Sequence, residues 1–221
     1  ELFTEGAPRR VQDPISLRCA SQVHGALRYA LDFARTPVEI ELNGAGDNPL
    51  VLAADDEILS NGNFHTPVLA IAFDALALAM SQTASLSAQR VARLMTNRLT
   101  DLPDTLTPRD PVSRSGMGSL SITAGTLVKE IRLYAHPASL DDTGGMEVED
   151  HAPMTPVAVR KCAKIIELLR QIAACELMAA AQAMEMRKLS RVSATAKAAH
   201  EAVRSVSPAQ DEDRSQIGEI E

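Results

Sequence analysis

Residues 153–189 read PMTPVAVRKCAKIIELLRQIAACELMAAAQAMEMRKL, and this stretch decides the fold. Thr155 followed by Pro156 is a helix start: a hydroxyl able to cap, then a proline whose missing N–H is harmless in the first turn. From there apolar residues recur at helical spacing on two stripes. Ile165, Leu169, Ile172, Cys175 and Ala179 form one; Ile166, Ala173, Leu177, Ala180 and Met184 form the other. Arg160, Lys164, Glu167 and Gln171 leave only a narrow polar strip. A helix apolar around most of its circumference is expected to be buried on several sides.

The same signals recur outward from this helix. Thr66-Pro67 repeats the cap-then-proline start and opens a helix expected over 66–98, roughly 50 Å long at 1.5 Å per residue. Another is expected over 119–134, ending before Pro137. A third, over 20–34, ends before Thr36-Pro37, because the residue preceding a proline is pushed out of the helical region. A last helix covers 194–206, followed by a polar tail at 208–221. Val38-Glu39-Ile40-Glu41-Leu42 alternates with period two, as a short strand or an extended connector would. Asn43–Asn48 (NGAGDN) before Pro49 is turn chemistry. The expected class is all-α: long helices side by side in a bundle spanning 12–207, with burial completed inside the bundle or by other subunits. Residues 1–11 read as a surface loop, and with no initiator Met the chain is expected to be the C-terminal part of a longer polypeptide.

Composition narrows the partners. A net charge of −7, 3% aromatic residues and no Trp argue against nucleic acid. Cys19, Cys162 and Cys175 share no CxxC spacing, which fits reduced thiols in a cytoplasmic protein with no visible signal peptide. The strongly apolar run Pro67–Met80 is about 14 residues, short for a bilayer, so no membrane is expected. His24, His65, His136 and His151 lie far apart without HxxxH or HExxH spacing, so no metal site is expected.

Several short motifs remain. In Gln12–Cys19 (QDPISLRC), a turn at Asp13-Pro14 leads to Arg18 near a helix start. Two readings stay open: an ordinary ion pair, or a guanidinium forked onto a substrate carboxylate. Gly44-Ala45-Gly46 is followed by Pro49 rather than GK[ST], which argues against a phosphate loop. Asn61–His65 (NGNFH) is a tight turn leading into the long helix. Ser113–Ser121 (SRSGMGSLS) does not fit GxSxG. Glu147–His151 sets acids beside an imidazole, either as a solvated turn or as an acid, base or amine partner.

In their order and rough spacing, QDPISLRC (12–19), ELNGAGDNP (41–49), NGNFH (61–65), HPAS (136–139) and EVEDHAPM (147–154) resemble the histidine and aromatic amino acid ammonia-lyases, a family that includes 2,3-aminomutases. The likeness runs from Gln12 to Glu212-Asp213-Arg214. It implies the C-terminal half of a mostly helical homotetramer with active sites shared between subunits. The implied cofactor is 4-methylideneimidazole-5-one (MIO), made from an Ala-Ser-Gly tripeptide. That tripeptide does not occur in these residues, so the N-terminal half of the enzyme is an implied partner.

By the same resemblance, Arg18 binds the substrate carboxylate and Asn48 assists near that group or the cofactor. Gln12 orders the site, Phe64 lies close to the cofactor, and Glu149 is the catalytic carboxylate. Glu149 stands where histidine-specific members keep glutamate and phenylalanine-specific ones glutamine. The implied reaction is elimination of ammonia from an L-amino acid, histidine first, with a 2,3-aminomutase or a catalytically silent assembly partner as rivals. The chain departs from the pattern at Ile15, where a tyrosine is usual, at Glu147-Val148, usually Asn-Gln, and at Arg114 and Met117-Gly118.

Overall fold

The computed structural model describes residues 11–108, 113–140, 147–189 and 192–220; residues 1–10 of the expected N-terminal loop lie outside them. The described residues form helices α1 (Ile15–Arg18), α2 (Ala20–Leu42), α3 (Pro67–Leu94), α4 (Asn97–Thr100), α5 (Gly118–Tyr134), α6 (Thr155–Met186), α7 (Ala194–Val206) and α8 (Ile217–Ile220). Strands β1 (Leu50–Leu52) and β2 (Glu57–Leu59) pair antiparallel, with Val51 opposite Ile58. The all-α expectation holds, with one small hairpin added.

α3 is the central helix, packed against α2, α5 and α6. Ala72, Leu76, Met80, Ala84 and Val91 of α3 meet Leu120, Ala124 and Ile131 of α5 and Ile165, Ile172 and Ala179 of α6. Alanines at these positions let the helix axes approach closely. α3 and α6 run parallel and in register. Thr66 Oγ1 lies 3.0 Å from Thr155 Oγ1, Cys162 Sγ donates to the Phe73 carbonyl at 3.1 Å, and Ser87 Oγ donates to Glu176. All three contacts join residues 89 apart in sequence.

Four expectations need correcting. Thr66 makes no side-chain cap on α3; its hydroxyl turns to Thr155 and clamps the starts of α3 and α6 together. α2 does not stop before Pro37 but runs to Leu42, so Val38–Leu42 is helical and neither strand nor extended connector. Pro37 deprives the helix of one backbone bond, but its ring is buried and Asn43 Nδ2 donates to the Glu39 carbonyl at the helix end. The second apolar stripe of α6 is not covered within this chain: Ile166 and Leu177 are each 48% exposed. Finally, the apolar run of α3 is longer than expected. By length and composition α3 could cross a membrane, with mean hydropathy 1.5 over its most apolar window. Here half of that window is buried, and α3 carries the buried Asp74.

Two polar devices lock the bundle. Asp74 accepts the Ala138 and Ser139 N–H groups at 3.0 and 2.8 Å, so the HPAS segment is fixed by a buried carboxylate. At the other end, the polar tail folds back instead of trailing off. Gln182 exchanges two hydrogen bonds with the backbone of Gln210, and Gln210 Nε2 donates to the Gly116 carbonyl at 2.7 Å. Gln216 donates to Gln210 Oε1. Asp213 receives the Ser115 and Gly116 N–H groups at 2.8 and 3.0 Å. Gly116 has φ +54°, and an added Cβ would sit 2.4 Å from Thr107 Oγ1, so only glycine fits there.

Candidate functional site

The structure sorts the expected site residues into two groups at opposite ends of α3. The first forms where α3 and α6 begin. Because the Thr66–Thr155 clamp sets these starts side by side, the loops before them meet: His65 Nε2 lies 2.8 Å from His151 Nδ1, with ring planes 60° apart. Phe64 packs edge-on to His65, centroids 6.2 Å apart, and is 48% exposed. Glu149, two residues before His151, is exposed. The loop carrying Asn48 joins the same cluster through Asn61, whose backbone N–H donates to Asn48 Oδ1 at 3.0 Å. The β1–β2 hairpin makes this possible, since it returns the chain from Asn48 to Asn61. Asn48, Phe64 and Glu149 therefore belong to one end of the molecule.

The second group lies at the far end of α3. Gln12, Ile15 and Arg18 line an open groove of about 890 Å³ with Gln82, Gln89 and Arg93. Arg18 is exposed and forms no ion pair with any described residue. Ile15 is 64% exposed on the same groove. Between His65 and the groove residues of α3 lie 17 to 28 helical positions, or roughly 25–40 Å at 1.5 Å per residue. Within one chain, Arg18 and Gln12 do not come together with Asn48, Phe64 and Glu149.

The pair that anchors the groove has no local signature in the sequence. Arg90 of α3 makes a forked ion pair with Glu176 of α6, with Nη2 to Oε2 at 2.8 Å, and Arg90 Nη1 also donates to the Ser16 carbonyl at 3.3 Å. It thereby fixes the short α1 helix that carries Arg18 onto the bundle. The spacing of Arg90 and Glu176 on their own helices gave a usable signal only once α3 and α6 were known to run parallel. Asn61 has no such signature either, because NGN reads as a turn.

Other chemistries find little support. Burial pushes the Cys162 thiol up to about 11, with the nearby Asp74 adding to the effect, and burial pushes Cys175 to about 11 as well. Both remain protonated thiols at neutral pH, not nucleophiles. Among the described residues, no group of three His, Cys, Asp or Glu side chains could hold a metal ion. Arg114, which departs from the family pattern, is used structurally. It donates to the Asp211 carbonyl at 3.2 Å and pairs with Glu212.

An exposed arginine groove thus stands at one end, and an amide, an aromatic ring and a carboxylate at the other. Residues 1–205 match the family model described as aromatic amino acid lyase, and the chain belongs to that family. It is 39% identical over 215 residues to the histidine ammonia-lyase of Geobacillus sp. (strain WCH70), covering 97% of this chain and 42% of that protein. It superposes on the crystal structure of histidine ammonia-lyase from Trypanosoma cruzi with a TM-score of 0.88 at 36% identity, covering 95% of this chain and 41% of that one. A tyrosine aminomutase from Streptomyces globisporus gives a TM-score of 0.88 at 32% identity, covering 99% and 42%. The chain thus spans about two fifths of the length of its curated relatives.

Proposed function

We propose that this chain is the C-terminal part of an enzyme that eliminates ammonia from an L-amino acid, L-histidine foremost, to give an α,β-unsaturated acid. The observation that carries this reading is the gathering of Asn48, Phe64 and Glu149 at one end of α3, with Arg18 exposed at the other. Two part-sites separated along a rigid helix cannot hold one small substrate in one chain. They can do so if one copy contributes its Arg18 end and another its Asn48–Glu149 end, as in a homotetramer with shared sites. The N-terminal half of the enzyme is the other required partner. The reduced thiols suit a cytoplasmic enzyme.

The residues fit the family's cofactor: Phe64 offers an exposed ring and Asn48 an amide held in place, suited to a flat conjugated group bearing a carbonyl. 4-Methylideneimidazole-5-one, formed from Ala-Ser-Gly in the N-terminal half, would supply an electrophile for the substrate amine, turning ammonia into a better leaving group. The roles of this chain are positional. Arg18 grips the carboxylate with its planar fork and fixes the orientation of the substrate. Gln12, beside it, orders the groove. Glu149 faces the polar side chain or the amine. Ile15 cannot carry a proton, so the base that removes the weakly acidic β-proton comes from elsewhere in the assembled site.

The reading is tested on the complete enzyme, this chain with its preceding half. Mass spectrometry should find an Ala-Ser-Gly segment dehydrated by cyclisation, and L-histidine should yield ammonia and a conjugated acid detectable by ultraviolet absorbance. Arg18→Ala should abolish most turnover, and Glu149→Gln should shift preference from histidine toward phenylalanine. A β-amino acid product would establish the aminomutase reading, which the likeness to the tyrosine aminomutase supports. Failure to release ammonia from any amino acid would leave the silent assembly partner.

A further inference from the structure

We propose that Asn61 is a positioning residue that sets Asn48 as a hydrogen-bond donor toward the substrate carboxylate. This rests on the reading above, taking from its two places for Asn48, near the substrate carboxylate or the cofactor, the first. The polarity of Asn48 follows from its neighbour. The Asn61 backbone N–H, 3.0 Å from the Asn48 side chain, can only donate, so the atom facing it must be Oδ1. The Nδ2 group, with two N–H donors, is left on the open side of an exposed residue.

Asn61 is itself oriented by the same logic, twice. Its Nδ2 lies 2.8 Å from the Asp47 carbonyl and 3.5 Å from the Leu59 carbonyl, and carbonyls only accept. Its Oδ1 receives the Asn63 N–H at 2.8 Å. Backbone groups on both ends of the amide agree on one orientation. Asn61 therefore ties residue 47 to residues 59 and 63, on either side of the hairpin, and holds the loop so that Asn48 meets the 61 N–H.

The chemical consequence is selectivity. With Oδ1 already engaged, Asn48 offers N–H groups to an acceptor such as a carboxylate or a carbonyl oxygen. It is mismatched to an ammonium group, which needs an acceptor. Asn48 and Arg18 then present donors only, and the amine of the substrate must find its acceptor elsewhere.

The test measures calorimetric affinity of the complete enzyme for two ligands sharing an imidazole: 3-(imidazol-4-yl)propionate, which carries the carboxylate, and histamine, which carries only the amine. Asn61→Ala should weaken the propionate about tenfold, the scale of one displaced hydrogen bond, and leave histamine within about twofold. Asn61→Asp keeps the acceptor for Asn63 but sets a carboxylate against the Asp47 carbonyl, and should do the same. Asn48→Asp, which replaces the offered N–H groups with oxygen, should weaken the propionate about a hundredfold without weakening histamine.

Equal losses for both ligands would reduce Asn61 to a general structural residue and overturn the proposal. So would an unchanged propionate affinity in Asn61→Ala. A wild-type enzyme that binds the propionate with this pattern but releases no ammonia would sink the catalytic reading alone and leave Asn61 in its role. A wild-type enzyme with no affinity for the propionate would overturn both.

Discussion

The two ends of the bundle handle polar atoms in opposite ways. At the end closed by the C-terminal tail, Gln182, Gln210 and Gln216 are each at most 5% exposed and bond to one another or to backbone. At the end where α3 and α6 begin, Asn48, Phe64, Glu149 and His151 lie exposed. Beneath the tail the first end is closed largely by hydrogen bonds within the chain, which serve stability, while the Arg18 groove stays open beside it. The second presents a fixed but uncovered set of groups. Substitutions beneath the tail should therefore act on folding, and those at the second end, like those at Arg18, on ligand binding.

The largest expected effect comes from Gly116→Ala. The new Cβ would meet Thr107 Oγ1 at 2.4 Å and the Thr105 carbonyl at 2.6 Å, on a backbone at φ +54°. Strain and overpacking together should cost about 3 kcal/mol or more. The melting temperature of the complete protein should fall by about 3 °C or more. A fall of a degree or two would mean that the tail is only loosely seated on this loop.

Acid should loosen the tail next. Burial pulls the Glu185 carboxyl upward, but hydrogen bonds and charge from Arg204 and His200 outweigh it and hold it below its usual range. Hydrogen bonds from Arg214 hold Glu219 down as well. A depressed folded value contributes stability that is present above the unfolded value, about 4.3, and lost as pH falls through the folded one. Hydrogen exchange across 194–220 should accelerate below about pH 4 before exchange in α3 and α6 does. Uniform acceleration would show that these carboxylates do not govern the tail.

The smallest stability effect is expected at the open end. His151→Ala removes the contact to His65, yet His151 is exposed, so stability should change by less than about 1 kcal/mol. Amino acid turnover should suffer more, through the loop that carries Glu149. A large loss of stability would blur the contrast between the two ends.

Much of the bundle was legible in the sequence because its signals are local. Thr155-Pro156 and Thr66-Pro67 marked the two long helices, and the last helix appeared at 194–206 as expected. The failures were contests that local rules do not decide. Burial of the Pro37 ring carried α2 through a residue that ordinarily ends a helix. The hairpin at 50–59 was overlooked although Asp56, at φ +54°, is a residue type that tolerates such a turn. The glutamines at 210 and 216 look like solvent-facing composition and become core only through Gln182, across 28 residues in the first case. The same limit applied to the site. Motif order pointed to Arg18, Asn48, Phe64 and Glu149, and the resemblance implied shared sites, but neither said which of these residues one chain holds apart.

The constant separation of 89 residues between facing positions of α3 and α6 has a consequence for how this molecule tolerates insertions and deletions. Removing one residue from the middle of α3 alone would shift its later part by about 1.5 Å and turn it by about 100° against α6, breaking the Ser87 and Arg90 contacts to Glu176. Deleting seven residues, about two turns, at the same level in both helices would keep their facing sides aligned. The Arg18 groove would still end up closer to the Asn48 loop. The paired helices thus behave as a ruler whose length in residues sets where each part-site is presented. A compensated double deletion should keep α3 paired with α6 while failing to assemble a working site.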